Sequence, residues 1–170
     1  MQTRVEIVTE LARLIERIRL PHPVRVGIDG VDCSGKTTLS GELASVLEDS
    51  ARDVIRISID GFHNPEEIRY RQGRLSPRGF YEDSFDHEAI VACVLAPLGP
   101  GGDLSYKSSR FDFRTDSVRE VEWQQAAADS IILFDGIFLY RPELLKYWDF
   151  TILVNADFDE TLRRAKERDQ

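Results

Sequence analysis

The sequence predicts an α/β fold in which helices cover both faces of a parallel β-sheet. Helical and extended segments alternate along the 170 residues, and the extended segments are apolar on both faces. Strands of this kind are typical of parallel sheets enclosed between two layers of helices. The four predicted strands cover residues 24–29, 54–59, 130–136 and 150–155. The chain is therefore expected to form a single three-layer domain over residues 1–170.

The first half of the chain shows the alternation most clearly. Apolar residues at helical spacing predict a helix over about 3–19, and the prolines at 21–23 end it. The strand at 24–29 leads into a helix over about 36–48, and the strand at 54–59 follows.

A short helix is predicted after the second strand, because helix-start and helix-stop signals follow one another there. Asn64 is expected to be the N-cap, with Pro65 in the first turn and Glu67 at the capping-box position. Gly73 is expected to end this helix.

The second half of the chain is predicted to contain two more helices and a hairpin. Asp86 is expected to cap a helix that ends near Pro97, before a glycine-rich loop at 99–102. Alternating residues predict a β-hairpin within 105–118, and a last helix is expected from Asp159 onward.

The charge of the chain limits the partners to be expected. A net charge of −8 argues against nucleic acid, whose partners carry a basic face, and no apolar run is long enough to cross a membrane. The two cysteines, Cys33 and Cys93, lie far apart and predict reduced thiols in a cytoplasmic protein.

Two local groups of arginines suggest a small anionic ligand, although solvated helix faces would explain them equally well. They are Arg69, Arg71, Arg74 and Arg78, and Arg163, Arg164 and Arg168.

Residues 30–37, GVDCSGKT, carry the most specific signal in the sequence. They match G-x-x-x-x-G-K-[ST], with a predicted strand before and a predicted helix after. In such a loop the glycines let backbone N–H groups turn inward toward the phosphates, and the following helix adds the positive end of its dipole. Lys36 would reach the β- and γ-phosphates, and Thr37 would ligate Mg²⁺. A nucleoside triphosphate, ATP in first place, and Mg²⁺ are therefore the predicted cofactors. The residues expected to bind the nucleotide here are Gly30, Asp32, Cys33, Ser34, Gly35, Lys36, Thr37 and Thr38.

Other features indicate the fate of the triphosphate. The sequence lacks an N-K-x-D segment for reading guanine, and residues 155–158 have no lysine. Asp135, which ends the third strand, is followed by Gly136, where motor-type ATPases commonly place a glutamate. Phosphoryl transfer to an acceptor molecule is therefore the leading hypothesis.

Asp60 follows a strand and is the predicted proton acceptor. The carboxyl ends of parallel strands share one edge of a sheet, and Asp29, Asp60 and Asp135 all stand at such ends. A carboxylate near the γ-phosphate can take the proton of the attacking hydroxyl. Gly61 allows a sharp turn, after which Phe62 and His63 would begin a wall of the acceptor pocket. The alternative is that Asp60 only caps a helix or turn.

Several stretches together resemble a known family. The segments GVDCSGKTT, SIDGFHNPEEIRYRQGRLSPRGFYEDSFD and ILFDGIFL, followed by an arginine-rich helix, resemble the uridine kinase, phosphoribulokinase and pantothenate kinase group of P-loop kinases. The resemblance covers about residues 22–169 and is strongest to the uridine kinase-like proteins. It implies a P-loop NTPase fold of the nucleoside-monophosphate-kinase type. The implied strand order is 54–59, 130–135, 24–29 and 150–154.

The resemblance also implies roles for single residues. Asp60 matches the catalytic aspartate, assisted by Lys36, and Mg²⁺ would be held by Thr37, Asp60 and Asp135. The helix at 160–169 matches the start of a lid, whose Arg164 and Arg168 would close on the phosphates. Because the chain ends at Gln170, inside that helix, a truncated lid is expected.

The acceptor is expected to be a small molecule with a hydroxyl group. A nucleoside is the first expectation, with pantothenate or a sugar phosphate as alternatives, and a nucleotide-binding protein without turnover is a second hypothesis. A polynucleotide kinase is disfavoured by the negative charge, and a homodimer is left open. The candidate acceptor-binding residues are His63, Arg71, Phe80, Tyr81, Arg110 and Asp112.

Overall fold

The computed structural model describes residues 2–168 and is built around a four-stranded parallel sheet. The strands, numbered in chain order, are β1 (Val24–Asp29), β2 (Val54–Ser58), β3 (Ser105–Tyr106), β4 (Phe111–Asp112), β5 (Ser117–Val118), β6 (Gln124–Gln125), β7 (Ile131–Gly136) and β8 (Phe150–Leu153). The central sheet has the order β2-β7-β1-β8, with all three pairings parallel. The predicted fold class and strand order are confirmed.

Helices lie on both faces of this sheet. They are α1 (Arg4–Arg17), α2 (Lys36–Leu47), α3 (Glu66–Arg69), α4 (Pro77–Asp83), α5 (His87–Ile90), α6 (Pro142–Leu145) and α7 (Phe158–Arg168). Strand β7 shows why the strands are apolar throughout. Its Ile131 and Leu133 belong to the core beneath α1 and α2, whereas Ile132 and Phe134 belong to the core on the opposite face. Within residues 2–168, no helix is long and apolar enough to span a lipid bilayer.

The segment after β2 differs from its prediction. The strand ends at Ser58, and residues 59–62 form one turn of 3-10 helix, so Asp60 lies on that turn. Asn64 is not an N-cap, because its side-chain amide donates to the carbonyl of Asp83 (3.0 Å) and α3 begins only after Pro65. The sequence analysis missed α4, which Ser76 caps through a hydrogen bond from the N–H of Gly79 (3.0 Å).

The second half agrees in part with its prediction. Asp86 caps α5 as expected, and the helix continues as a π-helix over Val91–Leu95. The predicted hairpin is present only as the antiparallel pair β4–β5, because β3 pairs instead with β6. The helix α6 was not predicted.

Candidate active site

The loop between β1 and α2 has the backbone expected of a phosphate-binding loop. Cys33 and Gly35 adopt left-handed conformations, with φ of 58° and 96°. A Cβ atom on Gly30 would lie 2.6 Å from the carbonyl oxygen of Val154 and 2.8 Å from Oγ of Ser34, so this position requires glycine. The loop leads directly into the N-terminus of α2, whose free N–H groups favour an anion.

Two side chains of the loop are available to an anion. Lys36 Nζ donates to the carbonyl of Val31 (2.8 Å), which folds the lysine back over the loop. Ser34 Oγ is buried and has no hydrogen-bond partner among the described residues. An unpaired buried hydroxyl costs free energy, so a bound phosphate oxygen would relieve that cost.

Thr37 and Asp135 form the link between the loop and the neighbouring strand β7. Thr37 Oγ1 donates to Asp135 Oδ2 over 2.8 Å. Burial raises the pKa of Asp135, and the hydrogen bond from Thr37 opposes that shift only in part. Arg56 of β2 also donates to the carbonyl of Thr37 (3.2 Å) and so fixes the first turn of α2.

Asp29, the first of the three predicted strand-end aspartates, has a structural role. Its Oδ1 accepts from the N–H of Gly30 (2.7 Å), and its Oδ2 accepts from the N–H of Tyr140 (2.9 Å). Both carboxylate oxygens are therefore engaged by backbone, and Asp29 holds the phosphate loop against the segment after β7. The other two aspartates, Asp60 and Asp135, line a cavity.

This cavity, of about 620 Å³, opens beside the phosphate loop. It brings together predicted residues from the loop, the turn after β2, strand β7 and helix α4. Its lining comprises Asp32, Cys33, Lys36, Thr37, Ser58, Ile59, Asp60, His63, Phe80, Phe85, Phe113, Arg114, Asp135, Gly136 and Ile137.

Asp60 is exposed to this cavity, and its carboxylate makes no hydrogen bond with any residue from 2 to 168. The backbone N–H of Asp60 donates to Ser58 Oγ (3.4 Å), so Ser58 is the residue that caps the 3-10 turn. The geometry therefore favours a carboxylate free for chemistry over a capping carboxylate.

His63 forms part of the cavity wall, whereas Phe62, which was predicted to do so too, is buried in the core. The Nδ1 atom of His63 lies 3.0 Å from the carbonyl oxygen of Asp60. Its ring lies between the tilted rings of Phe85 and Phe113, with 4.5 and 4.7 Å between the ring centres. Burial lowers the pKa of His63, so the ring is neutral at physiological pH. With Phe80, these rings make one side of the cavity apolar.

Four predicted acceptor-binding residues are not in the described lining of this cavity. Arg71 forms an ion pair with the buried Asp83. The Tyr81 ring packs on the Phe138 ring, with 5.0 Å between the ring centres. Asp112 Oδ1 accepts from the N–H of Arg114 (2.9 Å) inside the β4–β5 turn, and the Arg110 side chain lines a separate hollow.

The sequence analysis missed Phe85, Phe113 and Arg114 as cavity residues. Phe113 and Arg114 belong to the segment predicted as a hairpin, and the nearby Asp112 was chosen instead. The missing information was the side of the hairpin that faces the site. Period-two alternation could have separated Asp112 from Phe113, but it cannot show which of the two faces the core.

The last helix approaches the phosphate loop from the opposite side. Arg164 Nη1 donates to the carbonyl of Cys33 (3.4 Å), and its Nε donates to Glu160 (2.8 Å). Arg164 and Arg4 flank a second hollow, of about 580 Å³, on this side of the loop. The side chain of Arg168, the other predicted lid arginine, lies outside the described part of the chain.

The residues present fit Mg²⁺ only as a partly hydrated, phosphate-bound ion. In the described chain no group of three or more His, Cys, Asp or Glu side chains is placed to hold a metal. Mg²⁺ bound with a nucleotide characteristically takes one or two protein oxygens and completes its shell with phosphate and water. The paired hydroxyl of Thr37 and carboxylate of Asp135 supply oxygens of that type.

Comparisons with known proteins point in one direction. A uridine-cytidine kinase from Dictyostelium discoideum is 31% identical over 149 residues, covering 87% of this chain and 59% of that protein. A pantothenate kinase from Streptococcus pneumoniae is 27% identical over 170 residues, covering 94% of this chain and 53% of that protein. The chain thus spans somewhat more than half the length of these curated relatives. No family model matches it.

A solved structure shares the fold. It is described as a possible uridine kinase from Bacillus stearothermophilus, with a TM-score of 0.77 and 21% identity, covering 98% of this chain and 91% of that one. The chain is therefore a relative of the uridine kinase and pantothenate kinase group, as its motifs predicted, and has the P-loop kinase fold.

Proposed function

We propose that this relative of the uridine-cytidine and pantothenate kinases transfers the γ-phosphoryl group of ATP to a hydroxyl of a small molecule. One observation carries the proposal: the unengaged carboxylate of Asp60 lines the same cavity as Lys36, Thr37 and Asp135. A phosphate loop alone would fit any triphosphate-binding protein. A free carboxylate beside the loop, in a cavity with room for a second molecule, is what an alcohol kinase requires.

The donor side of the site binds the triphosphate. The N–H groups of the loop and the N-terminus of α2 bind phosphate oxygens, and Lys36 leaves the carbonyl of Val31 to reach the β- and γ-phosphates. Thr37 and Asp135 would hold Mg²⁺, which would supply positive charge against the charge that develops on the phosphates.

The acceptor side uses Asp60 as general base. The acceptor hydroxyl gives its proton to the Asp60 carboxylate as its oxygen forms a bond to the γ-phosphorus, while the bond to the β-phosphate oxygen breaks and ADP leaves. His63, Phe80 and Phe85 cover one side of this space with aromatic surface, which favours the acceptor over water at the reacting phosphorus.

Two classes of acceptor have support. The relative named uridine-cytidine kinase and the sequence resemblance support a nucleoside, which is a neutral alcohol. The relative named pantothenate kinase supports an alcohol that carries a carboxylate.

An assay for acceptor-dependent ADP formation tests the proposal. The protein is incubated with ATP, Mg²⁺ and single candidates from a panel of nucleosides, acidic alcohols and sugar phosphates. We expect ADP above background only when a suitable acceptor is present. Tight ATP binding with no acceptor-dependent ADP from any compound would contradict a kinase and favour a nucleotide-binding protein without turnover.

A further inference from the structure

Arg114 is a cation in the candidate active site to which the proposed reaction assigns no role. It lies in the turn between β4 and β5 and lines the cavity together with Lys36 and Asp60. Its guanidinium forms no hydrogen bond or ion pair with any described side chain, although many other arginines of the protein are paired with carboxylates. The guanidinium carbon lies 5.8 Å from the centre of the Phe113 ring.

The carboxylates that flank Arg114 in sequence are already occupied. Asp112 Oδ1 accepts from the backbone N–H of Arg114 (2.9 Å) and closes the turn. Asp116 Oδ1 accepts from Arg69 Nη2 (3.0 Å) and from the N–H of Glu66 (2.8 Å). The Arg114 side chain is exposed, and among residues 2–168 neither of these carboxylates pairs with its guanidinium.

The hairpin is tied to the rest of the site at three points. Asp116 joins it to α3, the N–H of Arg110 donates to the carbonyl of Gly61 (2.7 Å), and the Phe113 ring packs on His63 (4.7 Å). Gly61 directly follows Asp60 in the chain, and His63 is three positions after Asp60. These ties connect the position of Arg114 to that of the proposed base.

The two cationic side chains of the cavity lie where they could serve different substrates, the phosphate donor and the acceptor. Among the described lining residues the cations are Lys36 and Arg114, and the proposed reaction places Lys36 on the triphosphate. An anionic acceptor would be repelled by the triphosphate and by a chain of net charge −8 unless a local cation offset that repulsion. Arg114 is the cation on the acceptor side.

We propose that Arg114 binds an anionic group of the acceptor, a carboxylate or a phosphate, and so selects acidic alcohols over neutral ones. The proposal rests on the proposed function, because it places the acceptor in the cavity beside Asp60. An arginine fork can hold either anion through two parallel hydrogen bonds, so the chemistry recognised is a pair of anionic oxygens at a distance from the reacting hydroxyl.

Matched pairs of alcohols test this selectivity. The pairs are pantothenate with panthenol, D-glycerate with glycerol, and ribose 5-phosphate with ribose; the first two carry a carboxylate and the third a phosphate. Binding is measured on the complex with Mg²⁺ and a non-hydrolysable ATP analogue, and turnover is measured with ATP. The proteins are the wild type, Arg114→Gln, and Arg119→Gln as a control for loss of an exposed arginine on the same segment outside the cavity lining.

We expect at least one acidic member to bind the wild type more tightly than its neutral partner. Arg114→Gln should weaken that binding about 10- to 100-fold, the usual effect of losing a charged hydrogen-bond pair, with ATP affinity unchanged. Arg119→Gln should behave as wild type. The proposal is wrong if no acidic member binds better than its neutral partner, or if Arg114→Gln retains the preference. Arg114-dependent binding without ADP formation would contradict the kinase proposal and leave the anion site standing.

Discussion

Thr37 and Asp135 are 98 positions apart in the chain, and a 2.8 Å hydrogen bond joins their side chains. The parallel pairing of β1 with β7 makes this contact possible, because it brings the end of β7 beside the start of α2. The resemblance to the P-loop kinases implied the same strand order. The bond holds a hydroxyl and a carboxylate together at the position where a nucleotide-bound metal would need them.

The burial of Asp135 predicts a gain in stability for Asp135→Asn when nucleotide and metal are absent. Burial raises the pKa of Asp135 above its ordinary value of 3.8, so the folded protein prefers the protonated carboxyl. The stability that the protonated Asp135 carboxyl contributes is complete below about pH 4, and it is lost as the pH rises through the raised pKa. Asparagine keeps an acceptor for Thr37 and has no charge to bury. The variant should therefore melt higher than wild type near pH 7, and the difference should shrink on acidification.

Melting curves of both proteins from pH 4 to 8 check this prediction. Asp49→Asn, at an exposed carboxylate, is the matched control and should show no comparable pH-dependent difference. The variant should also bind Mg²⁺–ATP more weakly. A melting temperature below that of wild type at neutral pH would show that the charged form of Asp135 stabilises the fold.

Lys36→Ala is predicted to separate nucleotide binding from folding. Lys36 is partly exposed, and within residues 2–168 its ammonium donates only to the carbonyl of Val31. Truncation should therefore leave the melting temperature within about 1 °C of wild type. ATP affinity should fall at least about tenfold, as expected for loss of a charged contact, and turnover should be abolished. Titration calorimetry with ATP measures the affinity, and Lys146→Ala on the exposed surface is the control. Unchanged phosphoryl transfer would refute the role of Lys36.

The sheet and the phosphate loop could be predicted because their signals are local. A strand buried on both faces, such as Ile131–Gly136, is apolar at every position except where function intervenes. The loop at 30–37 needs glycines at fixed positions, and a Cβ atom at Gly30 would indeed meet neighbouring atoms at 2.6 Å. Sequence patterns report such requirements directly.

The acceptor side could not be predicted in the same way, because it depends on contacts between distant segments. Asn64 has the residue type of an N-cap, yet its amide is used by the carbonyl of Asp83, 19 positions away. Arg71 is as basic as Arg114, but Asp83 neutralises Arg71 and not Arg114. Composition shows that arginines are abundant, and only the tertiary structure shows which of them are paired with carboxylates.

The buried pair of Arg25 and Asp149 provides a prediction about stability alone. Arg25 Nε and Nη2 donate to the two oxygens of Asp149 (2.9 and 3.0 Å), and the Arg25 side chain is only 5% exposed. Asp149→Asn would leave the guanidinium without its counter-charge, at a cost of about 3 kcal/mol or somewhat more. Urea unfolding measures this loss, with Asp49→Asn as the exposed control. A loss below about 1 kcal/mol would show that solvent compensates the arginine.

Asp60→Asn is the prediction that decides between a catalytic and a structural aspartate. The substitution keeps size and hydrogen-bonding reach and removes the proton acceptor. Asp60 is exposed and Ser58 already caps the turn, so the melting temperature should not change. Triphosphate binding depends mainly on the loop at 30–37, so ATP affinity should change little. Loss of general-base assistance should lower kcat by about 100- to 10,000-fold.

Three measurements on Asp60→Asn therefore have to be taken together: kcat with the best acceptor, the Kd for ATP, and Tm. A capping residue would give the reverse pattern, losing about 1 kcal/mol of stability while its rate survives. If Asp60 also contacts Mg²⁺, the metal concentration needed for half-maximal rate should rise in the variant. Asp49→Asn controls for loss of one negative charge from the surface, and should match wild type in all three measurements. A lower Tm with an intact kcat would show that Asp60 holds the turn, and would remove the base from the proposed mechanism.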